Sequence, residues 1–243
     1  MTSVWVLVAI LASPVLAAAQ RMPPVGTLLP VSLNRTLNAA KVHPGEPIRA
    51  EVMQDIPNTP IRRGAVVLGS VVTADARKDG QATLAIRFDA VIARGQRFPI
   101  GANLRAMASF FEVEQAQIPE EVSSRGLTPE SWNTQQIGGD QVYRGGGSVA
   151  VGVTTVGEPN PYGVLAIPRI QAGQPCRGVV ADADRPQAFW LFSTDACGLY
   201  GYSNLRIAHA GRTDPAGMIV LAADTGKLTL TSGSGLLLRV QGW

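Results

Sequence analysis

Ala65-Val66-Val67-Leu68-Gly69-Ser70-Val71-Val72, the turn Lys78-Asp79-Gly80 and the run Leu84-Ala85-Ile86-Arg87-Phe88-Asp89 decide the fold class. The two apolar runs read as neighbouring strands, because side chains of an extended chain alternate between faces and Leu84, Ile86 and Phe88 share one of them. Gly80 supplies the positive φ that a tight turn between them needs. Upstream, Ile48-Arg49-Ala50-Glu51-Val52 alternates in the same way. Downstream, Arg94-Gly95-Gln96 turns the chain into Phe98-Pro99-Ile100, and Pro99, which has no N–H to donate, puts that strand at a sheet edge. The first half is therefore a β-meander.

Between Glu112 and Asp140 the pattern breaks: six acidic residues stand against one Arg among Pro, Ser, Gly, Thr and Gln. Such a stretch buries little apolar surface and reads as a linker. Within it, Thr128-Pro129-Glu130-Ser131 has the order of a helix start, with an N-cap hydroxyl, Pro at the first helical position and an acid near the positive helix end. The spacing predicts a short helix through about Gln136, stopped by Gly138-Gly139. Alternation returns with Val149, Val151 and Val153, and further short strands are predicted at 188–192, 205–207, 218–221, 227–230 and 236–240. Asp224-Thr225-Gly226 and Ser232-Gly233-Ser234-Gly235 read as hairpin turns joining the last three.

The chain of 243 residues has 26 Gly and 17 Pro but only 16% charged residues, against roughly 25% in an average soluble domain. That excludes a coiled coil and a charged disordered chain. Residues 4–16 are an apolar run followed by Ala17-Ala18-Ala19, the pattern of a cleaved secretory signal with Gln20 as first mature residue. The run is shorter than the roughly 20 apolar residues of a membrane span. The predicted organisation is all-β: a signal peptide at 1–19, a small basic β-barrel or meander at 20–111, an acidic linker with a short helix at 112–141, and a β-sandwich-like or barrel-like unit at 142–243. The formal net charge of +3 hides an asymmetry, +6 from Gln20 to Phe110 and −3 from Phe111 onward.

Gly26-Thr27-Leu28-Leu29-Pro30, the segment from Ile48 to Asp55, Ile61-Arg62-Arg63-Gly64-Ala65-Val66-Val67-Leu68-Gly69 and the segment from Gly80 to Phe88 follow one another in an order that resembles the C-terminal barrel of the outer-membrane core subunit of type IV secretion and conjugation systems. The resemblance covers about residues 25 to 100 and implies an envelope β-barrel module. It carries no binding residue across. That family is anchored in the inner membrane through a long Pro-rich arm, whereas this chain starts with a cleavable signal, and the second half has no counterpart.

Several residue sets bear on chemistry. Cys176 and Cys197 are the only cysteines, and in an exported chain an even pair reads as one disulfide. Closing that loop contributes on the order of 3 kcal/mol. Read instead as a nucleophile, Cys197 with Arg206 and His209 downstream is similar in outline to the sortase transpeptidases, where Arg stabilises the developing oxyanion. The family's Thr-Leu-x-Thr-Cys order is not kept. Ser203, His209 and Asp214 lie close enough in sequence for a hydrolytic triad, but no G-x-S-x-G elbow is present. Gly145-Gly146-Gly147 lacks the Lys-Ser/Thr of a phosphate loop. Tyr143, Tyr162, Trp190, Tyr200 and Tyr202 are candidates for stacking on sugar rings, as in a carbohydrate-binding module. Arg62, Arg63, Arg77 and Lys78 are candidates for an anionic envelope polymer. No cofactor or metal site is read from the sequence, and no nucleic acid partner is expected. The expected function is an exported, periplasmic or extracellular envelope module that binds or assembles with an envelope polymer or another envelope protein without catalysis. The sortase-like enzyme and the carbohydrate-binding module stand as alternatives.

Overall fold

The computed structural model describes residues 23–56, 59–77, 81–117, 132–135, 137, 141–144, 149–151, 154–157, 164–167, 191–192, 196–224 and 227–241. In chain order the elements are β1 (Leu28–Leu33), β2 (Leu37–Asn38), β3 (Pro47–Val52), β4 (Val66–Ala76), β5 (Ala82–Ala93), β6 (Gln96–Pro99), β7 (Gly101–Ala108) and helix α1 (Phe110–Gln117). There follow β8 (Trp132–Gln135), β9 (Gln141–Arg144), β10 (Val149–Val151), β11 (Thr154–Gly157), β12 (Val164–Ile167), β13 (Gly198–Tyr200), β14 (Leu205–Ala210), β15 (Ile219–Ala223), β16 (Thr229–Leu230) and β17 (Gly235–Gln241).

One large sheet runs in the order β13-β7-β17-β1-β3-β4-β5-β15-β14, with β6 added on β5. β7, near one end of that order, touches β5 and β14 at the other, and strands from both ends share one core, so the sheet curls into a barrel. The alternation read from the sequence supplies the lining: Ile48, Ala50 and Val52 are fully buried, while Pro47, Arg49 and Glu51 face out. On β5, Leu84, Ile86 and Phe88 join the same core as Leu29, Val31, Leu236 and Leu238. Each such side chain contributes about 1.5 to 3 kcal/mol by leaving water. The meander β3-β4-β5-β6 is antiparallel throughout, and Pro99 lies on β6, whose partner among the described residues is β5 alone. The turn Lys78-Asp79-Gly80 lies outside the described residues, but the Arg77 N–H donates to the Gln81 carbonyl at 2.7 Å and closes its flanks.

The all-β reading holds, and the arrangement within it is corrected in three places. First, the strands at 198–241 do not make a sheet of their own. β17 lies between β7 and β1, and β15 lies beside β5, so both expected units contribute to one barrel. Second, the last three strands are not joined as hairpins: β15 pairs with β5 and β14, β16 with β2, and β17 with β7 and β1. Turn residues mark where a chain bends, but burial chooses the partner, and β17 has an apolar inner face and a buried Leu237 on the outer one. Leu236, Leu238 and Val240 enter the barrel, while Leu237 joins a second core with Ala106, Ala108, Leu191 and Phe192 on the outside. Third, the predicted helix is not at its C-terminal end helical, since Trp132–Gln135 pairs as a strand with Gln141–Arg144. Thr128 to Ser131 and the signal segment lie outside the described residues.

Among the described residues the helix is α1, and a single residue, Ser109, separates it from the barrel strand β7. Ser109 caps it, its Oγ accepting from the Glu112 N–H at 3.4 Å, and Ser109-Phe110-Phe111-Glu112 has the S-x-x-E order of a capping box. Val113 and Ala116 pack its buried side onto the second core. Gly201 makes room for this start: a Cβ there would sit 2.3 Å from the Ser109 Oγ.

Gly69 tests the packing of the β4–β5 pair. A Cβ on it would lie 2.2 Å from the Arg87 carbonyl oxygen and 2.9 Å from Phe88. Gly69→Ala is expected to destabilise by about 1 to 3 kcal/mol in chemical denaturation, because backbone on a neighbouring strand must move. Residues 20–111 expressed alone are expected to show no cooperative unfolding transition, since they lack β17 and β15. A sharp, native-like transition in that fragment would restore the two-unit organisation.

Candidate functional site

Cys197 lies just ahead of β13, whose parallel pairing of Gly198 with Ala106 presses Ala196 and Cys197 onto the outer face of β7. The Cys197 residue is 7% exposed. Its N–H donates to the Tyr200 hydroxyl at 3.1 Å, and the neighbouring Ala196 carbonyl accepts from the buried Arg105 Nε at 3.1 Å. The Arg212 Nη2 lies 4.0 Å from the Cys197 sulfur. Cys197 is not a free thiol. Cys176 lies outside the described residues.

Neither Arg206 nor His209 is directed at that sulfur. Arg206 faces outward on β14 and donates from Nε to the Asp224 carboxylate at 3.2 Å. His209 follows an irregularity in the β14–β15 register and braces the loop at 211–218. Its Nδ1 is 2.8 Å from the Met218 carbonyl and its Nε2 is 3.3 Å from the Thr213 hydroxyl. The same contacts engage both ring nitrogens, so the triad with Ser203 and Asp214 is not assembled. The arginine that does approach Cys197, Arg212, was not legible in the sequence, because it arrives through the fold-back of a loop after the next strand.

The candidate polyanion residues also separate. Arg62 and Arg63 lie in the loop between β3 and β4. The Arg62 Nη1 donates to the Thr59 and Ile61 carbonyls at 2.8 and 3.2 Å, its Nε is 3.8 Å from Asp55, and the Arg63 N–H donates to Asp55 at 2.9 Å. Arg77 follows the other end of β4, with its Nε 3.7 Å from Asp75 and its Nη1 3.5 Å from Gln81. Lys78 lies outside the described residues. β4 has 11 residues, which at about 3.3 Å each places Arg77 roughly 35 Å from Arg63. That is several Debye lengths in physiological salt, so the set does not act as one patch.

The barrel regroups the charges by end. Arg62 and Arg63 share theirs with Arg94 at the tip of the β5–β6 turn, Arg212 in the β14–β15 loop and Arg239 near the close of β17. Register ties three of these together. Arg239 is opposite Leu28, its Nη2 lies 3.7 Å from where a Cβ on Gly26 would sit, and Gln241 two residues on donates to the Arg212 carbonyl at 3.5 Å. Among the described residues the acids at this end are Glu51, whose Oε1 lies 3.7 Å from where a Cβ on Gly64 would sit, Asp55 and Asp214. At the other end, among the described residues, Arg35, Lys41, Arg77, Arg206 and Lys227 are matched by Glu46, Asp75 and Asp224, with Glu112 and Glu114 on α1 beside them. Arg35 and Glu46 form an ion pair there, and the hydrogen bond from Arg35, helped by the His43 N–H, holds the Glu46 carboxyl below its ordinary value of 4.5.

The aromatic set does not form a stacking platform among the described residues. Tyr200 receives the Cys197 N–H, and Tyr202 donates to the buried Ser234 hydroxyl at 3.0 Å, tying the β13–β14 connection to the turn before β17. Tyr143 belongs to β9, whereas Tyr162, Trp190 and Gly145-Gly146-Gly147 lie outside the described residues. Among the described residues no group of three or more His, Cys, Asp or Glu is arranged to hold a metal ion, and no helix is long and apolar enough to cross a membrane.

Burial pushes the Tyr202 phenol above its ordinary value of 10, and its bond to Ser234 offsets part of that rise. A raised phenol favours the fold while protonated, so its contribution is intact below pH 10 and is lost as pH rises through the higher folded value. Tyr202→Phe is expected to cost about 1 kcal/mol at neutral pH and to shrink the loss of stability above pH 10. Urea midpoints across that range measure both, and an unchanged alkaline loss in the variant would remove Tyr202 as its source. No family model, no curated protein and no solved structure matches this chain.

Proposed function

We propose that the chain is an exported protein of the cell envelope that works by binding or assembly, held by a disulfide between Cys176 and Cys197. The observation that carries this reading is the state of Cys197: buried, and not a free thiol in a chain with one other cysteine. Stable disulfides belong to oxidising compartments, which agrees with the apolar run at 4–16 and the small residues that follow it. The resemblance of residues 25–100 to the type IV secretion barrel is proposed on the same footing, and the antiparallel run β3-β4-β5-β6 over that stretch supports it. Its partner is then an envelope polymer or another envelope protein.

One observation favours the sortase-like alternative, the guanidinium of Arg212 at 4.0 Å from the Cys197 sulfur. A cation there would lower a thiol's pKa. Against it, Arg206 is engaged by Asp224, and His209 by Met218 and Thr213.

Thiol counting on protein recovered from the envelope fraction tests the reading. No alkylatable thiol is expected in native or in denatured, unreduced protein, and two are expected after reduction. Cys176→Ser is expected to cost about 2 to 5 kcal/mol. Two reactive thiols in the unreduced, denatured protein would overturn the disulfide. If Cys197 alone then proved reactive in the native state, the transpeptidase reading would take its place.

A further inference from the structure

We propose that the barrel end built from the β3–β4, β5–β6 and β14–β15 loops binds an extended oxyanion polymer, a chain bearing phosphate, carboxylate or sulfate on successive units. This deepens the binding-module reading above and rests on it. Among the described residues the end carries Arg62, Arg63, Arg94, Arg212 and Arg239 against Glu51, Asp55 and Asp214, while the charges of the opposite end, with Arg206 paired to Asp224, balance. The barrel therefore has an electrical direction along its axis, concentrated at one mouth, where field lines add for an approaching polyanion.

The chemistry of this end is specific. All five cations are arginine, whose planar fork of donors matches carboxylate and phosphate oxygens two at a time, a geometry lysine does not offer. Among the described residues no ion pair engages Arg94, Arg212 or Arg239. The pair of Arg62 with Asp55 at this mouth is long at 3.8 Å and half exposed on both sides, a geometry worth little in water.

Placement favours a chain over a single small anion. The arginines come from three different loops and from the end of β17, so one phosphate would meet one or two of them. A polymer laid across the mouth would engage several, each added contact being intramolecular once the first has formed. A bilayer is disfavoured by the apolar content: among the described residues the exposed large hydrophobic at this end is Val25, and surface-bound proteins need a broader apolar face to enter the acyl boundary.

The test uses the full mature chain and a fluorescently tagged heparin oligosaccharide, read by anisotropy across a salt series. Binding is expected at low ionic strength and should weaken steeply as salt is added. Replacing Arg94, Arg212 and Arg239 together by Gln is expected to weaken it about tenfold or more and to flatten the salt dependence. The pair Arg77→Gln and Lys227→Gln at the opposite end should stay within about twofold. Circular dichroism melts report whether the triple variant folds. If it does not, Arg94→Gln, at an exposed hairpin tip, is expected to weaken binding about twofold and Asp214→Asn to tighten it by a similar factor.

No binding at low salt, or equal losses from the two ends, would overturn the proposal. Tighter binding to phosphatidylglycerol vesicles than to the oligosaccharide would overturn the choice of a polymer. Thiol counts and fractionation report on export separately. A disulfide-bonded envelope protein that ignores the oligosaccharide leaves the function reading standing and removes this site, whereas a reduced, unexported chain that binds it does the reverse.

Discussion

The pairing of β17 with both β1 and β7 is the constraint on which the rest of the molecule depends. Leu28 lies opposite Arg239 and Gly101 opposite Gln241, so the last strand fills the gap between the first strand and the seventh. Its side chains are committed in both directions: Leu236, Leu238 and Val240 complete the barrel core, and Leu237 seats the outer core under α1 and Phe192. A strand that buries leucines on both faces is unstable at an open sheet edge. Without it, β1 would be an open edge, and the outer core would lose its floor.

That closure positions everything with chemical interest. Because β7 and β17 are covered on the outside, the segment before β13 is pressed against them, which buries Cys197 and brings Arg212 to its sulfur. Because all strands run between two ends, the connecting loops collect into two groups, and arginines from distant stretches meet at one of them. A structural role for His209 follows from the same geometry, since its ring spans the loop that carries Arg212.

The local features were legible. Alternation in β3 and β5 assigned each residue to its face, Gly and Pro marked the turns, and Pro99 marked an edge, because each of these depends on a few neighbouring residues. The α1 start was equally legible in Ser109-Phe110-Phe111-Glu112, but was absorbed into the acidic stretch that follows it. The helix expected to run through Gln136 gave way to a strand because Trp132–Gln135 found a partner in Gln141–Arg144, and cross-strand pairing outweighs weak capping signals.

By itself the sequence determined that the chain is all-β, where most strands of the barrel's meander begin and end, and which of their faces are apolar. Only the tertiary structure decided which strands are neighbours and which charges share a surface. The physical reason is range. Side-chain alternation and turn chemistry act over two to five residues, whereas the contact of Leu28 with Arg239, or the sharing of one barrel mouth by Arg62 and Arg212, joins segments with no common local signature. Arg62, Arg63, Arg77 and Lys78 looked like one basic group because they are close in sequence, yet β4, lying between Arg63 and Arg77, is a rigid extended strand that holds its two ends apart.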